Sequence, residues 1–228
     1  MYHWVDDKDY LKRVKRCCSD VVNQLVQSIN NEGIMTVRQH LVGSGAKNLI
    51  TQNEKEPIDL DYNLEILDCE RVHINDCRFI KDYILEKFST VLNRCGWGSC
   101  CDSTSAMSTH KRAFKKGNKT PFSIDLCVIK VSNDGRWFRL IHHKTGIVQF
   151  DRYFWNEAQR SKGLTDRIEW LKENGFWNDV RDTYLEKKNR YLRMNDHNHS
   201  SFNIYIESVN EIYYHRRVTD RSFILSIT

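Results

Sequence analysis

Ile58-Asp59-Leu60-Asp61-Tyr62-Asn63-Leu64-Glu65-Ile66, opened by Pro57, alternates apolar and polar side chains without a break. Successive side chains of a strand point to opposite faces, so the run predicts a β-strand with one apolar face and one wet, acidic face. Asp59 and Asp61 then project from the same face with Cα atoms roughly 6.5 to 7 Å apart. Two unpaired carboxylates that close repel one another, a cost a fold rarely keeps without a compensating cation. Glu65 shares that face two pleats further on and is expected to be solvated. A second stretch of the same style, Phe122-Ser123-Ile124-Asp125-Leu126-Cys127-Val128-Ile129 behind Pro121, supplies a third acid, Asp125.

Helical spacing surrounds these two strands. Tyr10, Leu11, Val14, Cys18, Val21, Val22, Leu25, Val26 and Ile29 predict an amphipathic helix over residues 6–30, ended by Asn31-Glu32-Gly33. A strand follows from Thr36 to Val42, then Gly43-Ser44-Gly45 and a short helical stretch over 46–51. Asn75 or Asp76 caps a helix carrying Phe79, Ile80, Tyr83, Ile84, Phe88, Val91 and Leu92, which stops near Cys95-Gly96. A strand-like stretch spans 99–112. Asn133-Asp134-Gly135 is a hairpin turn into Trp137–Ile141, and a turn at Lys144-Thr145-Gly146 leads to a further strand at 147–150. Helical patterns then occupy 164–173, 176–194 and 201–215. The expected fold class is α/β (α+β): a mixed sheet flanked by helices over residues 1–155, then a helical C-terminal region over 156–228 packing on that core.

The 228 residues suffice for one substantial core, and 40% apolar with 29% charged residues is ordinary for a soluble protein. A net charge of +5 suits a chain that handles nucleotides or nucleic acid, as it suits many others. The eight cysteines include no CxxC, and the polar, acidic start is unlike a secretory leader. Reduced thiols packing as small hydrophobes, in a cytoplasmic protein, are the expectation. No stretch approaches the roughly 18 consecutive apolar residues of a membrane span, so no membrane partner is expected.

The order of features narrows the chemistry. A strand ending in Gly43-Ser44-Gly45 lets backbone N–H groups and a hydroxyl approach phosphate closely, and Lys47 adds a positive charge. Magnesium takes oxygen ligands, favouring one or two carboxylates plus substrate phosphates. A third acid on a neighbouring strand allows two ions about 4 Å apart to flank an in-line phosphoryl displacement.

Leu41-Val42-Gly43-Ser44, then Ile58-Asp59-Leu60-Asp61, then Ser123-Ile124-Asp125-Leu126, resembles the nucleotidyltransferase superfamily, the DNA polymerase beta-like fold, in a small stand-alone bacterial-type form. The resemblance covers roughly residues 36–130. It implies transfer of a nucleoside monophosphate from a nucleoside triphosphate such as ATP, with release of pyrophosphate. Gly43, Ser44 and Lys47 would bind the nucleotide. Asp59, Asp61 and Asp125 would be catalytic and hold two Mg2+ ions, with Mn2+ as an alternative. An RNA or tRNA end is the favoured acceptor, in a toxin–antitoxin or phage-defence setting with an antitoxin or other protein partner. Nucleotidylation of a protein or small molecule, and an inactive nucleotide-binding module, are the alternatives.

Other groups carry less. His142-His143 would point to opposite faces of a strand, and His197 and His199 read as a polar loop. Lys111, Arg112, Lys115, Lys116 and Lys119 precede the Asp125 strand, where phosphate or RNA contact competes with a solvated loop. Lys187, Lys188, Arg190 and Arg193 share a helix with Tyr184 and Tyr191, whose rings read as core rather than base-stacking platforms. Phe154, Trp155, Trp170, Phe176 and Trp177 are expected where the helical region meets the sheet.

Overall fold

The computed structural model describes residues 1–158, 163–196 and 198–225, with side chains as far as residue 218. In chain order the elements are β1 (Tyr2–Trp4), α1 (Lys8–Asn30), β2 (Met35–Leu41), α2 (Gly43–Lys47), β3 (Thr51–Asn53), β4 (Ile58–Cys69), α3 (Cys77–Arg94), β5 (Cys100–Asp102) and β6 (Met107–Thr109). There follow β7 (Phe122–Val131), β8 (Trp137–His143), a 3-10 turn at Val148–Phe150, β9 (Arg152–Glu157), α4 (Leu164–Glu173), α5 (Trp177–Arg193) and α6 (Ser201–Leu225). This is the mixed α/β architecture that the alternation of residues 58–66 predicts. The chain divides into two compact units. One is Val5–Ile50 with Lys55–Gln159, and the other is Met1–Trp4, Thr51–Glu54 and Arg160–Thr228.

The first unit is built on a seven-stranded sheet of order β2-β4-β7-β6-β5, with β8 paired to β7 and β9 to β8. Among the described strands only β4 and β7 run parallel; β2, β6 and β8 pair with their neighbours antiparallel. The alternation sorts the two central strands. Ile58, Leu60, Tyr62, Leu64 and Ile66 of β4 and Phe122, Ile124, Leu126 and Val128 of β7 are all buried in one core. Tyr10, Val14, Cys18, Val22, Leu25 and Ile29 of α1 join it, as do Ile80, Ile84, Phe88 and Leu92 of α3. These recur at three- and four-residue intervals, so each helix lays one stripe on the sheet. Each fully buried side chain of this kind contributes about 1.5 to 3 kcal/mol. Asp7 caps α1 by accepting from the Tyr10 N–H at 2.9 Å, and Asp76 caps α3 through the Phe79 N–H at 3.2 Å. The odd-numbered residues of β4 and β7 are thereby turned to the other face.

Several boundaries depart from the sequence expectation. The short helix is Gly43–Lys47 rather than 46–51, because Asn48 adopts the left-handed conformation and ends it. The stretch 99–112 is two short strands joined by a turn in which the Ser103 hydroxyl donates to the Ala106 carbonyl. Residues 147–150 are not a strand: Val148–Phe150 form a 3-10 turn, with Ile147, Val148 and Phe150 exposed. Asp151 holds that loop closed by accepting from the Thr145 N–H at 2.8 Å, and the sheet resumes at Arg152 and runs to Glu157.

In the second unit, β1 and β3 form a two-stranded antiparallel ribbon. The Asn189 side chain of α5 serves the Tyr2 backbone as a strand would, accepting from its N–H at 2.7 Å and donating to its carbonyl at 3.0 Å. Trp4 stacks on Tyr184. Leu171, Val180, Tyr184, Ile204, Tyr205 and Val209 are buried. Trp170 contacts Phe176 and Tyr213, and Trp177 meets Tyr205 edge-on. Trp155, by contrast, belongs to β9 of the first unit, where its indole donates to the Ile74 carbonyl. No helix among the described residues is long and apolar enough to cross a membrane.

Candidate active site

The parallel pairing of β4 with β7 sets Asp61 directly opposite Asp125, and Asp59 opposite Ser123. All four side chains sit on the face turned away from α1 and α3. Neighbouring strands lie about 4.8 Å apart, so the pairing packs three carboxylates into one small area. Burial, reinforced by the charges of Asp125 and Asp59, pushes Asp61 up to about 6; Arg139 and Lys47 pull it the other way. Asp125 is also raised, by burial first, against a hydrogen bond from Ser108 that lowers it, with Asp59 adding to the rise. The Ser108 hydroxyl donates to Asp125 Oδ1 at 2.5 Å, and the Ser123 hydroxyl donates to Asp59 Oδ1.

The glycine turn abuts the same acids. The Val42 N–H donates to the Asp61 carbonyl at 2.8 Å, which draws the chain past β4. Gly43 has φ +62°, and a Cβ there would collide with Asp61 Oδ2 and stand 3.0 Å from its Cγ. A Cβ on Gly45 would lie 2.9 Å from Leu60 Cδ2. Only glycine lets this turn press so closely on the acidic strand. Ser44 and Lys47 lie on α2, and the Lys47 ammonium approaches the Gly43 carbonyl at 3.4 Å. Burial lowers the Lys47 pKa while Asp61 raises it, placing that ammonium within reach of the acid's field.

Oxygen-only donors of this kind suit a hard divalent cation, and their mutual repulsion is what such a cation relieves. As the side chains stand, no three His, Cys, Asp or Glu groups among the described residues are gathered closely enough to hold an ion. Serine hydroxyls occupy Oδ1 of two of the acids.

No protein-family model and no curated protein matches the sequence. Among solved structures, CdnC of Escherichia coli MS115-1 with ATP matches at TM-score 0.56 and 16% identity, over 87% of this chain and 58% of that one. CdnC in its complex with HORMA-deltaN matches at 0.54 and 16%, over 87% and 57%. The fold is that of a nucleotidyltransferase. At this identity the likeness establishes the nucleotidyltransferase fold alone, and the chain spans just under three-fifths of the CdnC chain.

Three residues beside the acids of this nucleotidyltransferase fold escaped the sequence reading. Ser123 was legible, being two residues before Asp125 and so on its face of the strand. Ser108 and Arg139 were not, because their nearness depends on which strands flank β7: Ser108 pairs with Asp125, and Arg139 with Ile129. Glu65 is not solvated. It is buried and paired, with Arg38 at 2.8 Å and His40 at 2.7 Å, because β2 carries those side chains onto the same face.

Several of the remaining groups have structural partners. His142 is buried, its ring nitrogens 2.5 Å from Asp102 and 3.0 Å from Asp151, while His143 is exposed. His199 stacks on Tyr191 and bonds Glu207, and His197 lies outside the described residues. Lys187 pairs with Glu207 and Glu211. Arg112 donates to the Gly96 carbonyl and lies over the Trp97 ring. The eight cysteines are free thiols.

Proposed function

We propose that this chain is a metal-dependent nucleotidyltransferase that moves a nucleoside monophosphate from a nucleoside triphosphate to an acceptor hydroxyl and releases pyrophosphate. The observation that carries the reading is the direct pairing of Asp61 with Asp125, with Asp59 on the same face and Gly43 against Asp61. Asp59, Asp61 and Asp125 hold the divalent ions, Mg2+ first and Mn2+ as an alternative. Such ions supply neutralisation of the triphosphate and activation of the attacking hydroxyl. Gly43 and Ser44 receive the phosphates at the turn, and Lys47 adds charge beside them. Asp125 would also help to deprotonate the attacking hydroxyl.

The ATP of the CdnC structure makes ATP the first donor to test. An RNA end remains the favoured acceptor, in a toxin or phage-defence setting, with Lys111, Lys115, Lys116 and Lys119 on the segment that leads into β7. The CdnC complex with HORMA-deltaN gives reason to look for a protein partner as well. Free thiols suit a reducing cytoplasm.

The test is incubation of the protein with each of four α-labelled triphosphates, in Mg2+ or Mn2+, against total RNA and against lysate protein. Label in RNA with release of pyrophosphate is the expected result. An Asp59→Asn/Asp61→Asn double variant that folds and still transfers label contradicts the assignment. Tight nucleotide binding without pyrophosphate release identifies a nucleotide-binding module instead.

A further inference from the structure

Asp59 and Asp125 share a feature that Asp61 lacks. Each stands opposite a serine in the sheet, Asp59 across the parallel β4–β7 ladder from Ser123, and Asp125 across the antiparallel β6–β7 ladder from Ser108. Both hydroxyls reach the Oδ1 atom of the facing carboxylate. The two serines come from different strands and arrive from different sides, yet they meet the acids in the same way. Ser123 is 5% exposed, and a hydroxyl so buried gains from having a fixed acceptor.

A carboxylate turns readily about its last bond and presents either oxygen, so a lone aspartate is a loosely aimed ligand. A hydroxyl held by a strand ladder fixes one oxygen and thereby the plane of the other. No bond to Oδ2 of Asp59 or Asp125 is made by the described residues, which leaves those atoms for a cation. Partners of ligands characteristically set both the orientation and the affinity of a metal site.

We infer that Ser123 and Ser108 are positioning residues that orient Asp59 and Asp125 for the divalent ions. They touch neither the ions nor the substrate; they act through the carboxylates. Because this rests on the metal-binding reading above, its test must separate the two.

Mn2+ alone, titrated into the full chain and followed by the electron paramagnetic resonance of the free ion, does so. Ser123→Ala and Ser108→Ala should each weaken Mn2+ binding about 10- to 100-fold. Their melting temperatures in EDTA should match the wild type. Ser123→Thr and Ser108→Thr, which keep the hydroxyl on residues that suit strands, should bind as the wild type does. Should an alanine variant not fold, Ser→Cys at the same position, with its weaker donor, must give an intermediate loss. Asp61→Asn is the control. If the wild type binds Mn2+ and Asp61→Asn does not, then unchanged or tighter binding by the alanine variants overturns the serine assignment alone. If the wild type takes up no Mn2+, or Asp61→Asn takes it up unchanged, the metal reading fails and the serine roles fall with it.

Discussion

Asp61 and Asp125 are register partners on adjacent parallel strands, with Asp59 one pleat before Asp61 on the same face. Burial raises Asp61 and the repulsion of this pairing adds to it, so its carboxyl is pushed up to about 6.

Asp61→Asn should therefore stabilise the metal-free protein at pH 7. Below the ordinary value of 3.8 the group is protonated whether the chain is folded or not. Between 3.8 and about 6 the folded chain binds the proton more tightly, so wild-type stability falls as pH rises through that window. The gain in the variant should be about 1 to 3 kcal/mol at pH 7 and shrink towards nothing near pH 4. Urea unfolding in EDTA at pH 4, 5.5 and 7 measures it; a variant less stable at pH 7 contradicts the account.

Gly43→Ala should fail twice over. The added Cβ meets Asp61 Oδ2, and the backbone at φ +62° disfavours a side chain. We expect about 1 to 2 kcal/mol lost in thermal or urea unfolding and nucleotide transfer reduced at least about 100-fold. Transfer at the wild-type rate would show that the turn need not approach the acid.

Lys81 is 1% exposed and pairs with Asp102 at 2.8 Å on the helix-covered side of the sheet. Burial works to raise Asp102, but hydrogen bonds from Lys81 and His142 outweigh it and hold the carboxyl below its ordinary value. That stabilisation is complete above the unfolded pKa and is lost as pH falls through the folded one. Lys81→Ala should cost about 2 to 4 kcal/mol at pH 7, since it strips one charge from a buried pair while His142 and Lys144 remain. The cost should diminish below pH 4. Equilibrium unfolding at both pH values tests it.

Much of this was legible in the sequence, and the limits are physical. Period-two alternation marked β4 and β7 and placed Asp59, Asp61 and Asp125 on solvent-side faces. Three- and four-residue spacing marked α1, α3 and the C-terminal helices. Strand pairing was not legible. Glu65 reads as a solvated acid until β2 brings Arg38 and His40 beside it. Ser108 gains meaning only when β6 is set against β7. The Ile147–Phe150 run looks like a strand because its residues favour one, yet Gly146 at φ +85° and the Asp151 clasp turn it into an exposed knuckle. The brief strand Tyr2–Trp4 has no periodic signal, and its place depends on Asn189, 187 residues away.

Arg139 should tune the site without building it. Its guanidinium lowers Asp61, so Arg139→Gln should raise that pKa further. The acid limb of the transfer rate against pH should move to higher pH, with the melting temperature unchanged. A limb that stays in place removes Arg139 from the site.

On the function proposed above, three carboxylates from two strands close around divalent ions. A crystal of the protein soaked with Mn2+ and a non-hydrolysable ATP analogue, examined for anomalous scattering at the manganese edge, tests this most directly. Manganese peaks bounded by Asp59, Asp61 and Asp125, with the triphosphate at Gly43 and Ser44, are the expected result. Manganese absent from those carboxylates while the nucleotide is bound, or Asp125 turned away from the ions, would contradict it.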